Sequence, residues 1–143
     1  MNTDRAQRIK YGKLGEDVVA KYIKARLTKG KLIQHDELNT WTPHRDLLFG
    51  DIFIGNTRID VKRTNFISKK SATSFLGDYF VFISNLDVEN AWVLKARTVK
   101  SYMATIAEEK LEVGPSGDKG YRFTKENMYT AFSIQDLIEL LNK

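Results

Sequence analysis

Residues 50–63, GDIFIGNTRIDVKR, decide how this chain folds. Two runs of alternating apolar and polar residues, 51–54 and 57–63, flank Gly55-Asn56, a favourable two-residue turn pair. A hairpin closed at that turn pairs Ile54 with Thr57, Phe53 with Arg58, Ile52 with Ile59 and Asp51 with Asp60. Ile52, Ile54, Ile59 and Val61 then share a core face, while Asp51, Phe53, Arg58, Asp60 and Lys62 share the other. Opposed β-carbons lie ~4.5–5.5 Å apart, so two carboxylates converge with Lys62 beside them, although like charges facing each other destabilise a sheet. That arrangement asks for a reason.

Around the hairpin the chain alternates helical and extended patterns. Residues 4–27 read as a helix in which Val19, Tyr22, Ile23 and Leu27 recur at helical spacing, with Asp4 as a cap and Lys29-Gly30 after the end. Gly12 and Gly15 weaken its middle, so a start near Gly15 is the alternative. Residues 31–34 read as a short strand and 39–44 (NTWTPH) as a loop. The polar, basic stretch 67–77 (ISKKSATSFLG) reads as a mobile loop. YFVFIS, residues 79–84, is continuously apolar, as a strand buried on both faces would be. AWVLKA (91–96) reads as a strand and 98–109 as a helix with Val99, Tyr102, Met103 and Ile106 on one stripe. Residues 114–117 read as a turn, 121–123 and 129–132 as short strands, and Ser133 as the cap of a last helix over 134–141. This order predicts a mixed α/β sandwich with helices covering a central sheet.

The 143 residues suit one domain with a real core. The chain is 42% hydrophobic and 29% charged, which fits a globular protein rather than a disordered one. No apolar run approaches the roughly 18 residues of a membrane span, and residues 1–13 carry no apolar core of a secretion signal. There is no cysteine, hence no disulfide framework, thiolate metal site or thiol nucleophile. A cytoplasmic location is the expectation. The formal charge of +5 is unevenly spread: residues 1–31 carry nine Lys/Arg against three Asp/Glu, and residues 57–70 five against one. Residues 101–143 carry five against seven. Positive charge gathered around Lys62 and the first helix points to a polyanionic partner, nucleic acid first, with a merely solvated basic surface as the plainer reading.

The hairpin carboxylates gain a reason if a cation lies between them, since otherwise each raises the pKa of the other. Mg²⁺ typically takes one or two protein carboxylates and completes its shell with water and phosphate oxygens. Such an ion polarises a phosphoryl group and acidifies a bound water, and an adjacent lysine can orient that water or stabilise developing charge. The plainer reading is a wet hairpin on which Lys62 and Arg58 balance the aspartates. Glu16 stands with Val19, Ala20, Ile23 and Leu27 at i, i+3, i+4, i+7 and i+11, on the stripe that turns inward. It is either a carboxylate aimed at the metal or its waters, or a first-turn acid favoured by the helix dipole.

Asp51 followed by Asp60-Val61-Lys62 resembles the signature of the PD-(D/E)xK nuclease superfamily, which includes restriction endonucleases, Holliday-junction resolvases and phage or repair nucleases. The likeness covers roughly residues 15–65. It implies an α/β, restriction-endonuclease-like fold: a mixed central sheet flanked by helices, with an αβββαβ-like core, forming one nuclease-like domain over residues 1–143. It further implies a metal-dependent DNA endonuclease that hydrolyses phosphodiester bonds. Asp51, Asp60 and the backbone carbonyl of Val61 would bind Mg²⁺, with Mn²⁺ as a substitute, Lys62 would serve the attacking water, and Glu16 would be the extra helix acid. The implied partner is double-stranded or branched DNA. Small nucleases of this kind often pair to cut two strands, so the resemblance also allows a homodimer. Two features depart from the pattern: Gly50, not proline, precedes Asp51, and the middle acid is Asp60 where glutamate is commoner. Asp46 is an alternative first acid, and the preference for Asp51 rests on hairpin register.

Other residues carry weaker signals. Thr64 continues the Asp60–Lys62 face. Lys69, Lys70, Ser71 and Ser74, like Arg5, Arg8, Lys10 and Lys13, could grip phosphates or simply be solvated. His35 and His44 lack zinc-like spacing, Trp41 could stack on a base, and Phe80, Phe82 and Trp92 read as core. A non-catalytic nucleic-acid-binding protein on the same fold is the second hypothesis, and an unrelated α/β interaction domain the third.

Overall fold

The hairpin forms in the expected register over its paired residues. The computed structural model describes residues 3–34, 50–114, 117–126, 128 and 130–143. With strands numbered in chain order, β2 (Ile52–Ile54) and β3 (Thr57–Lys62) pair antiparallel as Ile52↔Ile59, Phe53↔Arg58 and Ile54↔Thr57. Gly55 enters the turn at φ +59°, a conformation that an L side chain resists. On the outer side of β2 lies β1 (Leu32–Gln34), also antiparallel. On the inner side β3 runs parallel to β5 (Tyr79–Phe82), which is followed antiparallel by β6 (Trp92–Lys95) and β9 (Phe132–Ser133). The result is a mixed six-stranded sheet of order β1-β2-β3-β5-β6-β9.

Both faces of this sheet are covered, as the continuously apolar YFVFIS run requires. Val81 and Ile83 enter a first core with Ile52, Ile54 and Ile59, whereas Phe80 and Phe82 enter a second with Phe75, Leu94 and Met103. The first core is roofed by α1 (Thr3–Arg26), through Val19, Ala20 and Ile23, and by α4 (Ile134–Leu141), through Ile134, Leu137 and Ile138. Ser133 caps α4 as anticipated: its hydroxyl accepts from the Asp136 N–H at 3.1 Å. α1 runs unbroken through Gly12 and Gly15 rather than starting at Gly15. The reason is tertiary. Gly15 is buried, and a Cβ there would collide with the Arg63 side chain, so this glycine is where the helix crosses the end of β3.

The second core holds the main departure from the sequence reading. Residues 67–77 are not a loop: β4 (Phe66–Ser68) leads directly into α2 (Lys69–Ser74). The Ser68 hydroxyl caps α2 by accepting from the Ser71 N–H at 3.0 Å. Ile67, Ala72 and Phe75 are buried, with the Phe75 ring 4.8 Å from that of Phe80. β4 belongs to a second, three-stranded sheet of order β4-β8-β7, with β7 at Glu112–Val113 and β8 at Lys119–Arg122. α3 (Ala96–Thr105) completes this side with Val99 and Met103 buried. Ser68→Ala should lower stability by about 1 kcal/mol, the usual worth of a helix cap. Chemical denaturation measures this, and an unchanged midpoint would mean that α2 is not held by its cap.

Among the described residues no helix is long and apolar enough to cross a membrane. The loop expected over 39–44, with Trp41 and His44, and the residues His35, Asp46 and Tyr129 lie outside the described residues.

Candidate active site at the end of the hairpin

Ladder pairing stops one residue short of the expected Asp51–Asp60 pair. Gly50 adopts φ +82° and turns the chain away, so β2 begins at Ile52. The Asp51 N–H donates to the Ile59 carbonyl at 2.8 Å. Its carboxylate Oδ2 in turn accepts from the Val61 N–H, also at 2.8 Å. Asp51 therefore does not oppose Asp60 across the ladder. Its side chain instead seals the β3 edge where the β2 backbone leaves, next along the chain from Asp60. This resolves the like-charge conflict, since the Asp51 carboxylate is anchored on a main-chain donor. A residue in a strand directs its N–H and C=O to the same neighbour, so the Val61 carbonyl is aimed at this same edge.

Asp60 and Lys62 project together from the opposite face to Ile59 and Val61. Lys62 Nζ lies 3.0 Å from Asp60 Oδ2, with the two side chains 26% and 14% exposed. The ammonium also stands 6.0 Å from the centre of the Phe80 ring, which forms an aromatic floor. A carboxylate this enclosed needs a partner, and the lysine supplies it.

The structure groups Glu16 with other residues. It bonds Lys13 Nζ at 2.9 Å and Gln34 Nε2 at 2.6 Å. Gln34 is opposite Ile52, so Glu16 sits on the α1 side of the sheet, away from the face of Asp60 and Lys62. These bonds account for a carboxylate on the inward stripe. Of the basic residues expected to grip phosphate, Lys69 pairs with Glu108 at 3.2 Å. The Lys69 hydrogen bond and charge hold the Glu108 carboxyl below the usual range, with help from Lys119. Lys10 and Lys70 are exposed, as is Thr64.

Four positioning residues escaped the sequence reading. Gly50 and Gln34 are two, and the glycine immediately before an acid was the available signal for the first. Arg63 is the third: its guanidinium stacks 3.6 Å from the Tyr11 ring, Nη1 donates to the Tyr11 carbonyl at 2.6 Å, and the buried Nε has no hydrogen-bond partner among the described residues. Asp78 is the fourth, accepting from the Arg58 N–H at 2.9 Å and so fixing the start of the parallel β3–β5 pair. Among the described residues no three His, Asp or Glu side chains converge as a metal cage. Asp51, Asp60 and the Val61 carbonyl each offer oxygen, the donor atom that a hard divalent cation takes alongside water and phosphate.

Asp51→Ala and Asp51→Asn separate the structural from the chemical part of this residue. Alanine leaves the Val61 N–H without its acceptor and should cost about 1–3 kcal/mol, whereas asparagine keeps an acceptor and should cost less. Thermal melts of the two variants make the comparison; equal losses would mean that the hydrogen bond does not hold the edge.

Neither any protein-family model nor any curated protein matches the chain.

Proposed function

We propose that this chain is a metal-dependent nuclease of restriction-endonuclease-like fold, hydrolysing phosphodiester bonds in DNA. The observation that carries the reading is the docking of the Asp51 carboxylate on the N–H of Val61, the residue between the ion-paired Asp60 and Lys62 in the chain. A hairpin stabilised only by a salt bridge would need Asp60 and Lys62 alone. Leaving aside β4, which joins the second sheet, the order α1, β1–β3, α2, β5, with the acids at the hairpin and β5 parallel to β3, supports the fold assignment.

The oxygen donors fit a hard divalent cation: Asp51, Asp60 and the Val61 carbonyl would hold Mg²⁺, or Mn²⁺ in its place. Such an ion, when bound, polarises the phosphoryl group and makes a bound water nucleophilic at neutral pH. The remaining work falls to the chain itself. Lys62, held in place by Asp60, donates to the attacking water and faces the negative charge that grows on the phosphate oxygens. The hydrogen bonds through Asp51 fix the spacing of these groups before substrate arrives. Glu16 keeps β1 against α1 through Gln34. The test is cleavage of nucleic acid in Mg²⁺ against EDTA, with cutting expected only in the first. A binding-only protein would account for the positive charge and the ion pair; it would bind nucleic acid in either solution and cut in neither.

A further inference from the structure

Three cavities of about 510, 360 and 450 Å³ follow one another, joined by shared walls, from the second core to the strand ends. Met128 belongs to the first and second, and Trp92 and Lys125 to the second and third. The track starts at Arg97 and Tyr102 on α3 and ends against Arg63 and Asn65, the residues that follow Lys62 in the chain. Its last cavity lies at the carboxyl ends of the parallel strands β3 and β5, the position at which α/β sheets commonly receive ligands.

The lining combines two chemistries. Arg97 and Lys125 stand one after the other along the track, as a phosphate backbone would need, while the Arg63 guanidinium at its end is held against Tyr11. Tyr102 and Trp92 present aromatic surface between them, with Trp92 backed on one side by Phe82 in a near-parallel stack at 4.2 Å and 14°. Glu89 and Glu126 also line the track. Beside a phosphate they would repel, whereas beside an exposed base they accept from exocyclic amines. A duplex keeps its bases stacked inside and cannot offer them to recessed cavities; a single strand can.

We infer that this groove seats one unpaired strand of nucleic acid and leads it to Asp60 and Lys62. The inference rests on the nuclease reading and names the form of its substrate: a single strand, or a duplex with an unpaired segment at the scissile phosphate.

The test is made without metal, in EDTA, so that binding is read independently of cutting. A Trp41→Phe background leaves Trp92 as the only tryptophan, and the probes are a 12-nucleotide oligothymidylate, its oligouridylate counterpart and a 12-base-pair duplex. At least one single strand should quench Trp92 emission and bind roughly tenfold more tightly than the duplex, as stacking on an aromatic platform requires. Lys125→Glu and Arg97→Glu, both exposed, should each weaken that binding roughly tenfold and flatten its salt dependence. Equal affinity for duplex and single strand, unmoved Trp92 emission, or charge reversals without effect would each overturn the inference. Quenching in a protein that never cuts in Mg²⁺ would refute the nuclease reading and leave the groove standing. Cutting without quenching would do the reverse.

Discussion

Lys62→Ala should reduce nucleic-acid cleavage by about 10³-fold or more while the protein remains folded. Such a loss corresponds to about 4 kcal/mol of transition-state stabilisation, the range seen when one preorganised donor is removed from a site of developing negative charge. The structural cost is smaller. Lys62 and Asp60 are partly exposed, at 26% and 14%, so removing the lysine leaves a carboxylate that water can still reach. That should amount to about 1–2 kcal/mol, less than the loss of a fully buried partner. Lys62 and Asp60 are also separable. Lys62→Ala keeps both of the carboxylates proposed to bind metal and should retain or strengthen Mn²⁺ affinity, because a competing ammonium has gone. Asp60→Asn should lose metal binding and cleavage together. Calorimetric Mn²⁺ titration beside a cleavage assay measures both. If Lys62→Ala cleaves like the wild type, the pair is an ordinary salt bridge.

Gly50→Ala should be among the most disruptive single-methyl changes on the hairpin. At φ +82° an L residue pays about 1–2 kcal/mol in backbone strain alone. A Cβ there would also stand 2.7 Å from the Ile59 carbonyl oxygen and 2.9 Å from Cε1 of the buried Phe75. Neither the β3 backbone nor a core ring can move far, so the total should reach about 2–4 kcal/mol. The displaced element is the turn that delivers Asp51 to Val61, so cleavage should fall with stability. Gly55→Ala is the control: φ is +59° there, but a Cβ meets nothing within 4 Å, and strain alone predicts about 1 kcal/mol. Denaturant midpoints of the two variants decide the matter, and equal losses would show that the close approach at Gly50 has no consequence.

The parts of this fold that were legible in the sequence are those set by local rules. The hairpin register followed from period-two alternation and Gly55-Asn56, the buried strand from YFVFIS, and the last helix from its Ser133 cap. What was hidden depends on distant partners. α1 keeps Gly15 because Arg63, some fifty positions later, fills the space beside it. The stretch 67–77 looks like a loop because its apolar residues are few. Ile67, Ala72 and Phe75 nevertheless all face one core, and β4 finds its partner in Lys119–Arg122. At the site, the sequence supplied Asp51, Asp60 and Lys62 but put the two aspartates in direct opposition. A left-handed Gly50 breaks the ladder first, and the carboxylate that seemed to face a like charge meets a backbone N–H instead. Glu16 was read correctly as inward-turned, yet its partners include Gln34, which lies on strand β1 and not on its own helix.

The most direct measurement is cleavage of supercoiled plasmid, linear duplex, single strand and four-way junction in Mg²⁺, Mn²⁺ and EDTA, by the wild type and by Asp60→Asn. A nuclease built on Asp51, Asp60 and Lys62 cuts at least one of these with either metal, cuts none in EDTA, and loses the activity in Asp60→Asn. Cutting that survives EDTA or the Asp60 substitution, or no cutting of any form in either metal, would contradict it.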